Sequence, residues 1–137
     1  MPVIHPDGAI GKIIRVGSRF SDVQTISNVN FKTHAMIQRT RQKGVVSVNN
    51  HSTLIFSVEE QIPVKIGDTI VTSGKIGGFP KGVGIGQVTK VSYNNSLLSQ
   101  IIEVNSFATP ETTEKVIVIH SRNKNFELFG DNGKKIK

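Results

Sequence analysis

At 137 residues and 14.9 kDa the chain suffices for one ordinary domain or two very small ones, which excludes a large multidomain enzyme. Cysteine is absent, removing disulfide frameworks, thiolate metal sites and cysteine nucleophiles together. Seventeen Lys and Arg against ten Asp and Glu leave a net charge of +7, which favours anionic partners or surfaces without selecting one.

The chain opens on a short strand-like segment, Met1-Pro2-Val3-Ile4-His5-Pro6-Asp7, without the charged and apolar regions of a signal peptide. Runs rich in Val, Ile and Thr then recur between turn residues. They predict strands at 9–16, 23–27, 34–39, 45–49, 53–58, 69–72, 85–93, 97–105 and 115–120. Two hairpins stand out. Val46 and Val48 alternate with polar neighbours, as do Leu54 and Phe56, with Asn49-Asn50-His51-Ser52 turning between them; a second hairpin turns at Asn94-Asn95. One helical turn is expected at 109–114, where Thr109 caps, Pro110 suits the first helical position and the acids favour the N-terminal dipole. No run approaches the roughly 18 apolar residues of a membrane helix, so the chain reads as soluble.

An all-β chain of this many short strands must close on itself to limit exposed edges, so two small β-barrels are expected. Glu59-Glu60-Gln61-Ile62-Pro63 breaks the strand rhythm and sets the expected division into 1–62, 63–120 and a basic tail at 121–137. A nested arrangement, with the last strand returning to the first barrel, would produce the same pattern, and both remain open.

The most distinctive segment runs from Gly67-Asp68 through Thr72-Ser73-Gly74 to Phe79-Pro80, Gly82 and Gly86. Its glycine density implies consecutive tight turns between strands. A phosphate-binding loop would open a helix, whereas Gln87-Val88-Thr89-Lys90-Val91 continues as a strand.

In the order of these residues the chain resembles the rod-shape-determining MreC family, whose pattern is G-D-x-x-x-T-S-G, then glycines, F-P and G-x-x-x-G. Gly8 and Gly11, in Asp7-Gly8-Ala9-Ile10-Gly11, and the closing strand Glu114-Lys115-Val116-Ile117-Val118-Ile119 extend the likeness to about residues 3–119. The resemblance implies two barrels of chymotrypsin-like architecture without catalytic residues, in a non-enzymatic scaffold of bacterial cell elongation. It implies an extracytoplasmic position, anchored in the full-length protein by an upstream membrane helix and coiled coil. The implied partner is the elongation-specific penicillin-binding transpeptidase of peptidoglycan synthesis, with other membrane proteins and MreB reached indirectly, and with self-association. On this reading the chain is an excised β-domain with no cofactor.

The residues themselves weigh against other chemistries. A protease nucleophile in that architecture sits in Gly-Asp-Ser-Gly-Gly, but here Gly67-Asp68 leads into Thr69, and Ser73 lies between Thr72 and Gly74. His5, His34, His51 and His120 are separated by 29, 17 and 69 positions, with no metal-ligand spacing, so no metal site is expected. The acid-free stretch 23–58, with Lys32, Arg39, Arg41, Lys43, Phe31 and Phe56, suits an OB-like nucleic-acid-binding barrel; a solvated basic face is the plainer reading, and no nucleic-acid partner is expected. Candidate partner contacts are the large apolar residues beside turn signals, Phe79, Tyr93, Leu97 and Phe20, although Phe79, in the Phe79-Pro80 element, suits a plug at a barrel end at least as well.

Overall fold

The alternation at residues 45 to 58 becomes a tight hairpin. β5 (Lys43–Val48) pairs antiparallel with β6 (Leu54–Ser57), setting Val46 opposite Phe56 and Val48 opposite Leu54, all four buried. Residues two apart share one face of a strand, so this register sends every one of those apolar side chains inward. Asn49 holds the turn: its Oδ1 accepts the amides of His51 at 2.9 Å and Thr53 at 3.0 Å, and Ser52 takes a φ of 61°.

The computed structural model describes residues 1–58, 61–74, 78–94 and 99–119, and among them the chain is all-β. The remaining strands are β1 (Pro2–His5), β2 (Gly8–Val16), β3 (Ser21–Thr25), β4 (Lys32–Ile37), β7 (Thr69–Thr72), β8 (Gly84–Asn94), β9 (Ser99–Ser106) and β10 (Ile117–Val118). Six of them close into a barrel in the order β4-β5-β6-β9-β8-β7, with β7 pairing back onto β4. The other four form an antiparallel sheet in the order β10-β1-β2-β3.

Both β6 and β7 belong to the closed barrel, so the boundary expected between residues 62 and 63 falls inside it. β1 to β3 with β10 form one sheet, and β4 to β9 form the barrel. The break in strand rhythm at residues 61–65 has another cause. Buried Gln100 holds this segment with both ends of its amide, Oε1 accepting Ile62 N–H at 3.0 Å and Nε2 donating to Ile62 O at 3.1 Å. Ile62 and Val64 also pack on the core. β10 returns to the first unit, placing Val118 opposite Val3 and Ile117 opposite Ile4. The segment expected as a helical turn makes only hydrogen-bonded turns, with the amides of Thr112 and Thr113 reaching Thr109 O at 3.1 Å and Pro110 O at 3.4 Å. Leu97, Asn95, His120 and the tail 121–137 lie outside the described residues.

One core unites the two units. Phe31, Phe56, Ile37, Ile70, Ile85 and Ile102 are fully buried in the barrel, and Ala9 of β2 and Ile26 beyond β3 join the same cluster. Each side chain of this size contributes about 1.5 to 3 kcal/mol on burial. Lys12 of β2 lies over the Phe31 ring at 5.3 Å and donates to Lys32 O, tying sheet to barrel at their junction. Gly8 is a close approach between the units: a Cβ there would lie 2.6 Å from Gly84 O and 3.3 Å from Phe107 Cβ. Gly8→Val should therefore destabilise the chain by about 1 to 3 kcal/mol through overpacking, read as a lowered thermal midpoint. An unchanged midpoint would show that the contact is not a constraint.

Candidate functional site

The segment 67–86 folds as two linked turns around buried polar anchors. Gly67, at φ 96°, turns the chain into β7, and its amide bonds Val88 O at 2.8 Å while Val88 N returns to Asp68 O at 2.9 Å. The Asp68 carboxylate is buried and receives three donors: Arg39 Nε and Arg39 Nη2, both at 2.9 Å, and the Lys65 amide at 2.8 Å. The two-pronged hydrogen bond from Arg39 holds the Asp68 carboxyl below the usual aspartate range, the Lys65 amide adding to it against the cost of burial. At the other end of β7, fully buried Thr72 donates its hydroxyl to Pro80 O at 2.5 Å and accepts Val83 N–H at 2.8 Å. Its backbone joins both sides of the same turn, through Val83 O at 2.8 Å and the Gly82 amide at 2.9 Å.

The remaining motif residues are conformational. Gly74 and Gly82 have φ of 80° and 92°, and a Cβ on Gly86 would lie 2.2 Å from Asn105 O across the β8–β9 ladder. Gly11 sits in β2, paired with both Val3 and Thr25. Phe79 is only 2% exposed and meets Phe31 edge-to-face at 6.5 Å, so it plugs the barrel and offers no surface to a partner.

These placements decide what the site can do. Ser73 is half-buried, its amide donating to His34 O at 3.3 Å, and Asp68, which could have oriented a histidine, is committed to Arg39. Among the described residues no three His, Asp or Glu side chains cluster as metal ligands. The OB-like reading needs exposed aromatics on a basic face. Phe31 and Phe56 are instead fully buried, and Arg39 is paired with Asp68.

Beside its exposed charges, the surface displays large apolar side chains. Phe20 is 83% exposed at the turn joining β2 to β3, and Tyr93 is 57% exposed near the end of β8. Sequence reasoning missed Val16, which lines a groove with Phe20, and Ile14 and Ile66, all exposed. Their signal was present but ambiguous: in Gly11-Lys12-Ile13-Ile14-Arg15-Val16 a β-bulge between Ile13 and Arg15 breaks the period-two reading, so neither face could be assigned.

A family model described as rod shape-determining protein MreC, barrel core, matches residues 1–120. The cell shape-determining protein MreC of Haemophilus influenzae is 28% identical over 124 residues, covering 89% of this chain and 35% of the relative. The chain thus spans about a third of that relative's length. The crystal structure of MreC from Pseudomonas aeruginosa superposes with a TM-score of 0.77 at 18% identity, over 84% of this chain and 76% of that one. A complex between the penicillin-binding protein PBP2 and MreC from Helicobacter pylori contains a chain matching at TM-score 0.65 and 20% identity, over 78% of this chain and 68% of that one.

Two substitutions test the anchors. Thr72→Val keeps the shape but strands the Val83 amide and Pro80 carbonyl in the interior, and should cost about 1 to 3 kcal/mol by urea unfolding. For Asp68 the folded pKa is depressed, so its stabilisation is complete above the unfolded carboxyl's pKa, about 3.9, and disappears as pH falls through the lower folded value. Unfolding midpoints measured from pH 6 to pH 2 should drop more steeply for the wild type than for Asp68→Asn; parallel curves would refute the assignment.

Proposed function

The chain belongs to the MreC family of rod shape-determining proteins, and from that membership we propose that it is the extracytoplasmic β-domain of a non-enzymatic scaffold in the cell-elongation machinery. The scaffold maintains cell shape by binding the elongation-specific penicillin-binding transpeptidase during peptidoglycan synthesis. Its links to other elongation-complex membrane proteins, and indirectly to MreB, run through the full-length protein, which a segment outside this chain anchors to the membrane. The observation that carries the reading is the family match over residues 1–120. The Helicobacter complex of PBP2 with MreC supports the choice of partner.

Phe20 and Tyr93, exposed on the β framework, are contacts of this partner, and Leu97, which lies between β8 and β9 in sequence, is a third. Interfaces concentrate their energy in a few large side chains, and a side chain that is solvated in the free protein contributes to binding without contributing to folding. Ser73 has no chemical role on this reading; its place is set by the backbone bond to His34.

Calorimetric titration against the transpeptidase's extracytoplasmic region, with melting on the same samples, tests the reading. Tyr93→Ser and Leu97→Ser should each lose about 1 to 3 kcal/mol of binding with little change in melting. Phe79→Ser should lose about 3 to 5 kcal/mol of stability first. Ser73→Ala should bind as the wild type does. Absence of binding by the folded wild type would overturn the proposal, and loss of function in a folded Ser73→Ala protein would reopen catalysis.

A further inference from the structure

From Ile14 to Val23 every residue of the β2–β3 hairpin is exposed, and this tip carries Ile14 at 62%, Val16 at 66%, Phe20 at 83% and also Val23. Turn formers and charges are the usual content of a solvated tip, so large apolar side chains there, of which Val16 and Phe20 line one groove, are suited to being covered. The tip is held in shape. The Gly17 amide bonds Phe20 O at 2.7 Å and Arg15 pairs with Asp22, leaving a groove of about 390 Å³ lined by Arg15, Val16, Arg19 and Phe20.

A second, independent feature lies beside it. β3 is an outer strand, and among the described residues no strand pairs with its far edge. Exposed edges are normally blocked by charges, Pro, bulges or extreme shortness; β3 is five residues long and reads Ser-Asp-Val-Gln-Thr, its one charge, Asp22, is engaged by Arg15, and the bulge lies in its inner neighbour β2. The opposite edge of the same sheet, β10, is only two residues long. The longer, unblocked edge is therefore the one that adjoins the apolar tip.

We propose that the far edge of β3 and the Phe20 tip together form the docking site for an extended segment of the transpeptidase. The segment adds as a strand along Ser21–Thr25, sets an apolar side chain against Val16 and Phe20, and presents a carboxylate to Arg19. Arg15 is already neutralised by Asp22, whereas Arg19 has no ion-pair partner among the described residues, so the charge that complements this groove is negative. Backbone pairing supplies affinity in this mode, and the flanking side chains select the sequence. The proposal rests on the scaffold reading above.

The test uses the whole chain and the transpeptidase's extracytoplasmic region. Phe20→Ser and Arg19→Glu should each weaken binding roughly tenfold or more with unchanged melting, as expected for exposed contact residues. In the complex, amide hydrogen exchange should slow within Ser21–Thr25, and Val23→Lys should abolish that protection. If the wild type binds but both tip variants retain its affinity, or the β3 amides gain no protection, the docking site is wrong while the scaffold reading stands. If the wild type does not bind, both fall. Slowed exchange at β3 that depends on chain concentration alone, with dimers in sedimentation, would assign the edge to a second copy and overturn the proposal.

Discussion

Everything in the barrel depends on closing one seam, where β7 returns to β4. Only Ala35 opposite Thr72, Met36 opposite Val71 and Ile37 opposite Ile70 pair across it, and these strands are more than thirty residues apart in sequence. Ordering so long a loop costs conformational entropy before the pairing returns any of it. The Arg39–Asp68 pair sits just past the end of this short ladder, after Ile37 and before Thr69, next to the backbone bond from Gln38 N to Thr69 O at 2.9 Å. A fork of two parallel hydrogen bonds fixes both distance and angle, so it sets the register of the seam as well as its affinity. Without closure, β4 and β7 would each expose an unpaired edge and the core between them would open.

The turns on either side of β7 extend that logic. Asp68 fastens the entry and Thr72 the exit, and Phe79 returns beneath the turn to meet Phe31. Phe31 in turn carries Lys12 from the sheet, so a chain of contacts runs from the seam through the plugging aromatics to β2. The polar side chains of the glycine-rich motif brace these turns, Asp68 through Arg39 and the Lys65 amide and Thr72 through Pro80 O and the Val83 amide. A framework braced in this way can hold an exposed apolar hairpin in a fixed position, because the energy that orders the tip comes from the core behind it.

The sequence by itself determined the fold class and much of the strand layout. Alternation at Val46, Val48, Leu54 and Phe56 fixed a hairpin, since a one-residue slip would have turned all four outward. The positive-φ turns at Gly74 and Gly82 were legible for the same local reason: only backbone geometry near the residue is involved. The ordered motif also disclosed the family. Which strands join which unit was not legible, because pairing of β7 with β4 and of β10 with β1 is a long-range choice that leaves no periodic trace. Nor was the fate of single side chains. Arg39 read as part of a basic face until folding brought Asp68 to it, and Phe79 read equally as a partner contact or a barrel plug until barrel closure buried it. Local pattern records which way a side chain points along its own strand; burial and charge pairing depend on what the rest of the chain places opposite, and only the tertiary structure decides that.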